Sequence, residues 1–286
     1  LFNILISSMS IFLIAIIFFV IYGLNKKQKK YRNIGIVLIT VTLILIIVFI
    51  IDVANDPIDL FYIPSYIIAK NEKNPPFVDM DYYFPEHKKF EDPANFQKIK
   101  KEMMTILENK NSLPFTRDTF GGQNKSIGSD NSKGGGWKIF MIMGGNEFNK
   151  SAEKLCPTLV SLIKDTPSIK SCLFSILEGD KEIPIHIGYY KGFLRYQLAL
   201  KVPTPNPFIC VNGKRYKWKE GEGVMFDDTY AHKVYNTSDD NRVVIYMDIE
   251  RKMKNESLSK INNFLVDLVL NSSVVKKEVK KTEIQI

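Results

Sequence analysis

Residues 193–218 read FLRYQLALKV PTPNP FICV NG KRYKW. Three short runs, 193–202, 208–211 and 214–218, are rich in aliphatic and aromatic residues, and each ends where the chain is made to turn. The proline-rich stretch 203–207 separates the first two. Asn212-Gly213 separates the second pair, and this dipeptide accepts the positive φ angles of a two-residue hairpin at little cost. The same cadence extends outward. Runs 137–143 and 171–177 come before it and runs 223–226, 233–235 and 242–249 after it, with turn signals at Gly179-Asp180, 220–223 and 238–241. Many short strands with few helices between them predict a sandwich, barrel or jelly roll.

Helical pattern flanks this β region. Over 92–110, Asp92 is a capping residue, Pro93 suits a first turn, and Phe96, Ile99, Met103, Ile106 and Leu107 recur at helical spacing. Residues 152–162 read as a second helix despite Pro157, and 257–270 as a third. The Gly/Ser/Asn-rich stretch 121–136 is expected to be a loop. The end of the chain, with Lys276, Lys277, Lys280 and Lys281, is expected to be a solvated tail.

The first 51 residues are of another kind. Residues 4–24 and 34–51 are apolar runs broken only by small or weakly polar residues. About 20 helical residues cross a bilayer core, so the runs predict two transmembrane helices. Their many Ile and Val would favour strands in water, but in lipid the backbone must bond within its own segment. A secretory signal is the rival for the first run, but its basic residues would precede the apolar stretch, whereas here they follow it. The loop 25–33 carries Lys26, Lys27, Lys29, Lys30 and Arg32 and no acidic residue. Such a loop faces the cytoplasm, which places the chain after Ile51 in a lumen, a periplasm or outside the cell. Five N-x-S/T sequons (Asn124, Asn149, Asn236, Asn255, Asn271) are permitted there.

Of the net charge of +8, +5 falls before residue 52 and only +3 on residues 52–286. That is no nucleic-acid footprint, so DNA and RNA are not expected partners. Three cysteines without a CxxC pair exclude a disulfide scaffold and a structural zinc site, although Cys156 and Cys172 could pair in an oxidising compartment. The expected organisation is a two-span hairpin over 1–51, a membrane-proximal linker over 52–79, a β domain over 80–252, and a C-terminal helix with a basic tail over 253–286.

Only three histidines exist, so a His-based metal site has few solutions. His87 lies before the β region and reads as structural or exposed. His186 and His232 lie at edges of predicted strands, and two imidazoles on neighbouring strands suit Fe, Zn or Cu. On spacing alone a structural role is the better account of either.

The segment 171–248 resembles the aspartyl/asparaginyl β-hydroxylase family. The matching text is Phe174-Ser175-Ile176-Leu177, Pro184-Ile185-His186-Ile187-Gly188, Leu194-Arg195-Tyr196-Gln197-Leu198-Ala199-Leu200, Cys210-Val211-Asn212, Trp218-Lys219-Glu220-Gly221-Glu222-Gly223, Phe226-Asp227-Asp228-Thr229-Tyr230-Ala231-His232 and Arg242-Val243-Val244-Ile245-Tyr246-Met247-Asp248. The resemblance implies a double-stranded β-helix of the jelly-roll or cupin-like kind with flanking helices. It implies Fe(II), 2-oxoglutarate as co-substrate and O2, with iron held by His186 and His232. The usual triad adds a carboxylate two residues after the first His. Here that residue is Gly188, and the family is known for the same absence. Asp227 and Asp228 either reach the metal, directly or through water, or shape the turn before His232.

A co-substrate with a free carboxylate needs a charged, bidentate partner. Arg242 opens the apolar run Val243-Val244-Ile245 and matches the family's position for that role, as does Ser175 as a hydroxyl donor. Arg195 matches a family position suited to a carboxylate of co-substrate or substrate. Gln197 departs from the family, which commonly has His there. Tyr189-Tyr190 would border the entrance, while Trp137 and Trp218 read as packing. The reading is a membrane-anchored dioxygenase that hydroxylates an unactivated C–H bond, in Asp/Asn side chains of a protein or in an acyl chain of the lipid bilayer. The alternative is a membrane-anchored β-barrel binding module that has lost its chemistry, since fold alone does not prove activity.

Overall fold

A computed structural model describes residues 33–44, 47, 60–119 and 136–284 of the chain. The chain divides into two units, Leu1–Asp56 and Pro57–Ile286. In the first, residues 33–44 are helical, and the hydroxyls of Thr40 and Thr42 donate to the carbonyls of Ile36 and Leu38 one turn back. This satisfies the two hydroxyls within their own helix. Among the described residues no helix is long and apolar enough to cross a membrane. The expected span 4–24 and most of 45–51 lie outside the described residues, as does 120–135, nearly all of the expected Gly-rich loop.

The second unit opens with helices α1 (Tyr62–Asn71), α2 (Met80–Tyr83), α3 (His87–Glu91) and α4 (Pro93–Glu108). The stretch expected as a linker therefore holds a folded helix. Phe61 at its start and Ile68 within it are buried. Helix α4 forms as expected: the Asp92 carboxylate accepts from the N–H groups of Ala94 and Asn95, Pro93 sits in the first turn, and Phe96, Ile99, Met103 and Ile106 form its buried face.

Strands β1 (Trp137–Gly144) and β2 (Glu147–Phe148) follow, then α5 (Lys150–Leu155) and α6 (Pro157–Lys164). The single helix expected over 152–162 is thus two. Proline disfavours the helical conformation in the residue before it, and Cys156 lies at φ −128°; Pro157 then opens the next helix, where its missing N–H does no harm.

The jelly roll consists of β3 (Ile169–Leu177), β4 (Lys181–His186), β5 (Phe193–Lys201), β6 (Phe208–Val211), β7 (Lys214–Lys217), β8 (Gly223–Phe226), β9 (His232–Asn236) and β10 (Arg242–Glu250). The larger sheet runs β2-β1-β3-β10-β5-β8 and the smaller β4-β9-β6-β7, and every pairing is antiparallel. The Asn212-Gly213 hairpin forms between β6 and β7, with φ of 47° and 77°. Strand β4 was not among the expected strands because Pro184 interrupts it. It survives because β4 is the edge of its sheet, where a missing N–H is tolerated.

Two layers of core hold the sheets. Leu177, Ile183, Ala199, Ile209, Val211, Trp218, Val224, Phe226, Val234 and Val244 come from both sheets and fill the space between them. A larger cluster packs α4, α5 and α6 on the other face of the larger sheet. Along β10, Val244 faces the space between the sheets. By strand alternation Arg242, Tyr246 and Asp248 share that face.

After β10 come α7 (Glu256–Leu270) and α8 (Ser273–Lys281). The expected solvated tail is not one: Val275 and Val279 are buried, and Val279 packs with Ile139, Met141 and Leu173. Lysines at 276, 277, 280 and 281 mask this amphipathic spacing in a composition count. Cys156, Cys172 and Cys210 are all free thiols, so the pairing of Cys156 with Cys172 is not made, and burial pushes both thiols up. Two of the five sequons, Asn149 and Asn236, are buried and hydrogen-bonded, so the folded chain cannot be glycosylated there.

Candidate metal and co-substrate site

Strands β4 and β9 are neighbours, and their register sets His186 opposite His232, with ring centroids 4.0 Å apart. His186 Nδ1 lies 2.7 Å from the carbonyl oxygen of Pro184, and His232 Nδ1 lies 2.9 Å from that of Tyr230. A carbonyl only accepts, so each Nδ1 carries the proton and donates it. Each Nε2 is then left as the basic nitrogen, the form in which imidazole ligates a metal. Burial lowers both pKa values to about 4, and for His186 the neighbouring His232 adds to the effect. Both rings are therefore neutral at pH 7.

Gly188 follows two residues after His186. A Cβ built there would lie 2.3–2.4 Å from Cγ, Oδ1 and Oδ2 of Asp228. The Asp228 carboxylate thus fills the place a side chain at position 188 would need, and its backbone carbonyl accepts the Gly188 N–H at 2.7 Å. Arg195 Nη2 donates to Asp228 at 2.6 Å and pairs with Asp248 at 2.8 Å, while its guanidinium lies 3.6 Å from the ring centroid of Tyr246. Ser171 donates to Asp248. Burial, opposed by Arg195, raises the Asp228 pKa to about 6.

The adjacent Asp227 belongs to a different network. Lys191 Nζ, Arg251 Nη2 and the N–H and hydroxyl of Thr229 all donate to its carboxylate. Burial pushes Asp227 up, but Arg251 and Lys191 outweigh it and hold it below the usual carboxylate range. Asp227 therefore braces the loop leading into β9, while Asp228 lies beside Gly188. Among the described residues no group of three or more His, Cys, Asp or Glu side chains is gathered as a metal site. The donor set is two imidazoles, with a carboxylate held nearby by arginine.

Arg242 stands at the other end of the inward face of β10, 1% exposed. Its guanidinium lies 4.8 Å from the ring of Trp218, and its Nε and Nη1 have no hydrogen-bond partner. Burial lowers its pKa to about 9. The buried Trp218 Nε1 and Gln197 Oε1 also lack partners. Ser175, paired with Val244 in the β3–β10 ladder, accepts from Trp137 Nε1 at 2.9 Å, which leaves its own proton to donate. Trp218 Nε1 is a donor and Gln197 Oε1 an acceptor; a buried guanidinium with unpaired donors of its own is the chemistry that a ligand carboxylate matches.

The structure thus brings His186, His232, Gly188, Asp228 and Arg195 together and sets Arg242, Ser175 and Gln197 on the same inward face of the larger sheet. Arg195 is already engaged by two carboxylates. Sequence reasoning read Trp218 as packing and gave no role to Asp248, Tyr246, Lys191 or Arg251. The signal for Asp248 and Tyr246 was present, because both share the alternation phase of Arg242 in an apolar strand. Lys191 and Arg251 left no such signal, since they meet Asp227 only through the fold. His87 is buried and structural: its Nδ1 lies 2.9 Å from Glu91, which also accepts from Tyr196.

The profile of the aspartyl/asparaginyl β-hydroxylase family matches residues 93–252. The ornithine lipid ester-linked acyl 2-hydroxylase of Rhizobium tropici is 30% identical over 206 residues, covering 71% of this chain and 70% of that protein. The aspartyl/asparaginyl beta-hydroxylase of Homo sapiens is 25% identical over 120 residues, covering 40% of this chain and 16% of that protein. Among solved structures, the Schizosaccharomyces pombe Cnp3 cupin domain is 10% identical, covers 45% of this chain and 72% of that chain, and gives a TM-score of 0.31. The family match runs from helix α4 to just past the end of β10 and takes in the histidine pair and Arg242, and the chain belongs to the aspartyl/asparaginyl β-hydroxylase family of hydroxylases.

Proposed function

We propose that this chain is a membrane-anchored Fe(II)- and 2-oxoglutarate-dependent hydroxylase that acts on the acyl chain of a membrane lipid. The observation that carries the co-substrate assignment is Arg242, a buried cation with unpaired donors on the inward face of the barrel. Its fork suits the distal carboxylate of 2-oxoglutarate, with Ser175 and Gln197 as neutral polar groups on the same inward face. The Nε2 atoms of His186 and His232 suit Fe(II), since their protons are committed to carbonyls on the other side. When bound, iron with 2-oxoglutarate and O2 supplies the oxidising power to place a hydroxyl on an unactivated C–H bond.

The chain's own residues do the rest. Gly188 has no side chain to offer, so a metal held by His186 and His232 would keep room for co-substrates. Asp228, held by Arg195, places a carboxylate beside Gly188. The indole of Trp218 and the aliphatic residues between the sheets exclude water from the reacting region.

A lipid is favoured over a protein Asp/Asn side chain by the extent of the likeness. The acyl hydroxylase of Rhizobium tropici aligns with 71% of this chain, the human protein hydroxylase with 40%. The apolar runs 4–24 and 34–51, read as spans, would keep the domain against its substrate. The test is turnover by purified chain with Fe(II), 2-oxoglutarate and a bacterial lipid extract. We expect succinate release coupled to lipids heavier by one oxygen on an acyl chain. His186→Ala and His232→Ala should each abolish metal binding and turnover while circular dichroism stays that of wild type. Full metal stoichiometry in either variant would remove that histidine from the ligand set, and coupled release with Asp-containing peptides alone would replace the lipid by a protein.

A further inference from the structure

Helices α1 and α7 share one buried cluster, in which Phe61 and Ile68 meet Tyr190, Phe193, Val266, Val269 and Leu270. Each helix also shows apolar residues on its outer side. On α7 these are Ile261, Phe264 and Leu268, spaced at three and four residues, with Phe264 68% exposed; on α1 they are Ile63 and Ile67. An apolar stripe at helical spacing normally marks a buried face. Here both helices already have a buried face, so the outer stripes await a partner.

Beneath these stripes, buried contacts tie both helices to the segment that follows His186. Phe61 stacks on Tyr190 at 3.9 Å and on Tyr189 at 5.9 Å, and the Tyr190 hydroxyl donates to Asn262 on α7. These tyrosines directly follow His186-Ile187-Gly188. Ile185 and Ile187, on either side of His186, are themselves exposed, Ile185 by 71%.

We propose that the outer face of α1 and α7 docks into the lipid bilayer that anchors the chain, holding the His186 mouth, with Ile185 and Ile187, against the acyl region. This rests on the membrane-lipid reading above. The occupant is argued from chain length and charge. Only ten residues, 52–61, separate the apolar run 34–51 from α1. Fully extended they span at most about 35 Å, so if that run crosses the bilayer, α1 cannot leave its neighbourhood. The exposed Lys70, Lys73, Lys254 and Lys260 on or beside the two helices outnumber the exposed Glu256 and Asp267. Basic residues around an apolar helix face are the pattern of an interfacial helix on anionic lipid.

The test uses the full chain in vesicles of mixed zwitterionic and anionic phospholipid. Cys210 is first replaced by Ser, and a single environment-sensitive fluorophore is placed at Phe264→Cys, Ile63→Cys or Lys219→Cys, the last on an exposed turn of the barrel. Lipids carrying a nitroxide near the headgroup should quench positions 264 and 63 at least twofold more than position 219. Equal quenching at all three overturns the proposal. A probe at 264 that is shielded from water yet not quenched by nitroxide lipid also overturns it, and points to a second copy of the chain on this face. As a second measurement, Phe264→Glu with Leu268→Glu should raise KM for lipid in vesicles at least fivefold and leave kcat and melting temperature near wild type. An unchanged KM overturns the proposal. Quenching without any lipid hydroxylation would leave the docking face standing and remove the substrate; hydroxylation without quenching would do the reverse.

Discussion

Arg242 illustrates what a single residue in a sequence can and cannot disclose. A charge at the head of Val243-Val244-Ile245 is legible as an inward-facing cation, because an unpaired charge in an apolar strand demands a partner. That its guanidinium lies over Trp218 was not legible, since the two residues meet across strands whose pairing only the fold decides. The arrangement makes opposite demands on stability and on binding. Without an anion the buried guanidinium is a cost to the fold, and with one it gains charge-assisted bonds whose removal typically costs about 3–5 kcal/mol. Arg242→Met should therefore melt at a higher temperature than wild type without ligand, yet raise the apparent KM for 2-oxoglutarate at least tenfold, with iron binding retained. Arg242→Lys keeps the charge and loses the fork, so it should fall between the two. Calorimetry without ligand and a co-substrate titration give both readings. A KM shift under threefold would remove Arg242 from the co-substrate site.

Elements were legible where a single periodicity held throughout. Strands β3, β5, β6, β8 and β10 begin and end within about two residues of their expected limits, because turn residues bound them on both sides. The failures each have a cause. Pro184 hid β4, which tolerates it only as an edge strand, and an edge is a property of the sheet. Helix α1 sits among Pro57, Pro64, Pro75 and Pro76, and its burial comes from contacts with residues more than a hundred positions away, among them Tyr190 and Val266. Helix α8 was concealed by its lysines. Its contribution is open to a direct measurement. Val279 is fully buried against Ile139, Met141 and Leu173, so Val279→Ala should destabilise the domain by about 1.5–2 kcal/mol, near the value of two buried methylenes. Val279→Asp should cost more, since it buries a carboxylate without a partner. Urea unfolding midpoints at constant slope would show this. A solvated tail would instead leave both variants within about 0.5 kcal/mol of wild type.

At the scale of the molecule, the proposed reading of the apolar runs 4–24 and 34–51 as spans carries with it a proposal about the side of the membrane on which the hydroxylase domain would lie. We propose the non-cytoplasmic side, from the five basic residues of segment 25–33 between two apolar runs. Two thiols and two sequons of the domain carry no weight as markers of compartment. The thiols of Cys156 and Cys172 are buried away from any oxidant in solution, so their being free says nothing of the redox state outside. Asn149 and Asn236 serve the fold itself: Asn149 caps α5, and Asn236 ties the end of β9 to the carbonyls of Leu177 and Glu178. The proposal rests on charge in the basic segment, which acts on insertion rather than on the folded domain. It follows that moving the charge should move the domain. In sealed inside-out vesicles, whose outer surface is the cytoplasmic face, the wild-type domain should resist added protease. Replacing Lys26, Lys27, Lys29, Lys30 and Arg32 by Gln should render at least part of the population cleavable. Digestion of the wild-type domain under these conditions, with the vesicles shown intact, would put it on the cytoplasmic side and rule out the two-span hairpin with loop 25–33 inside.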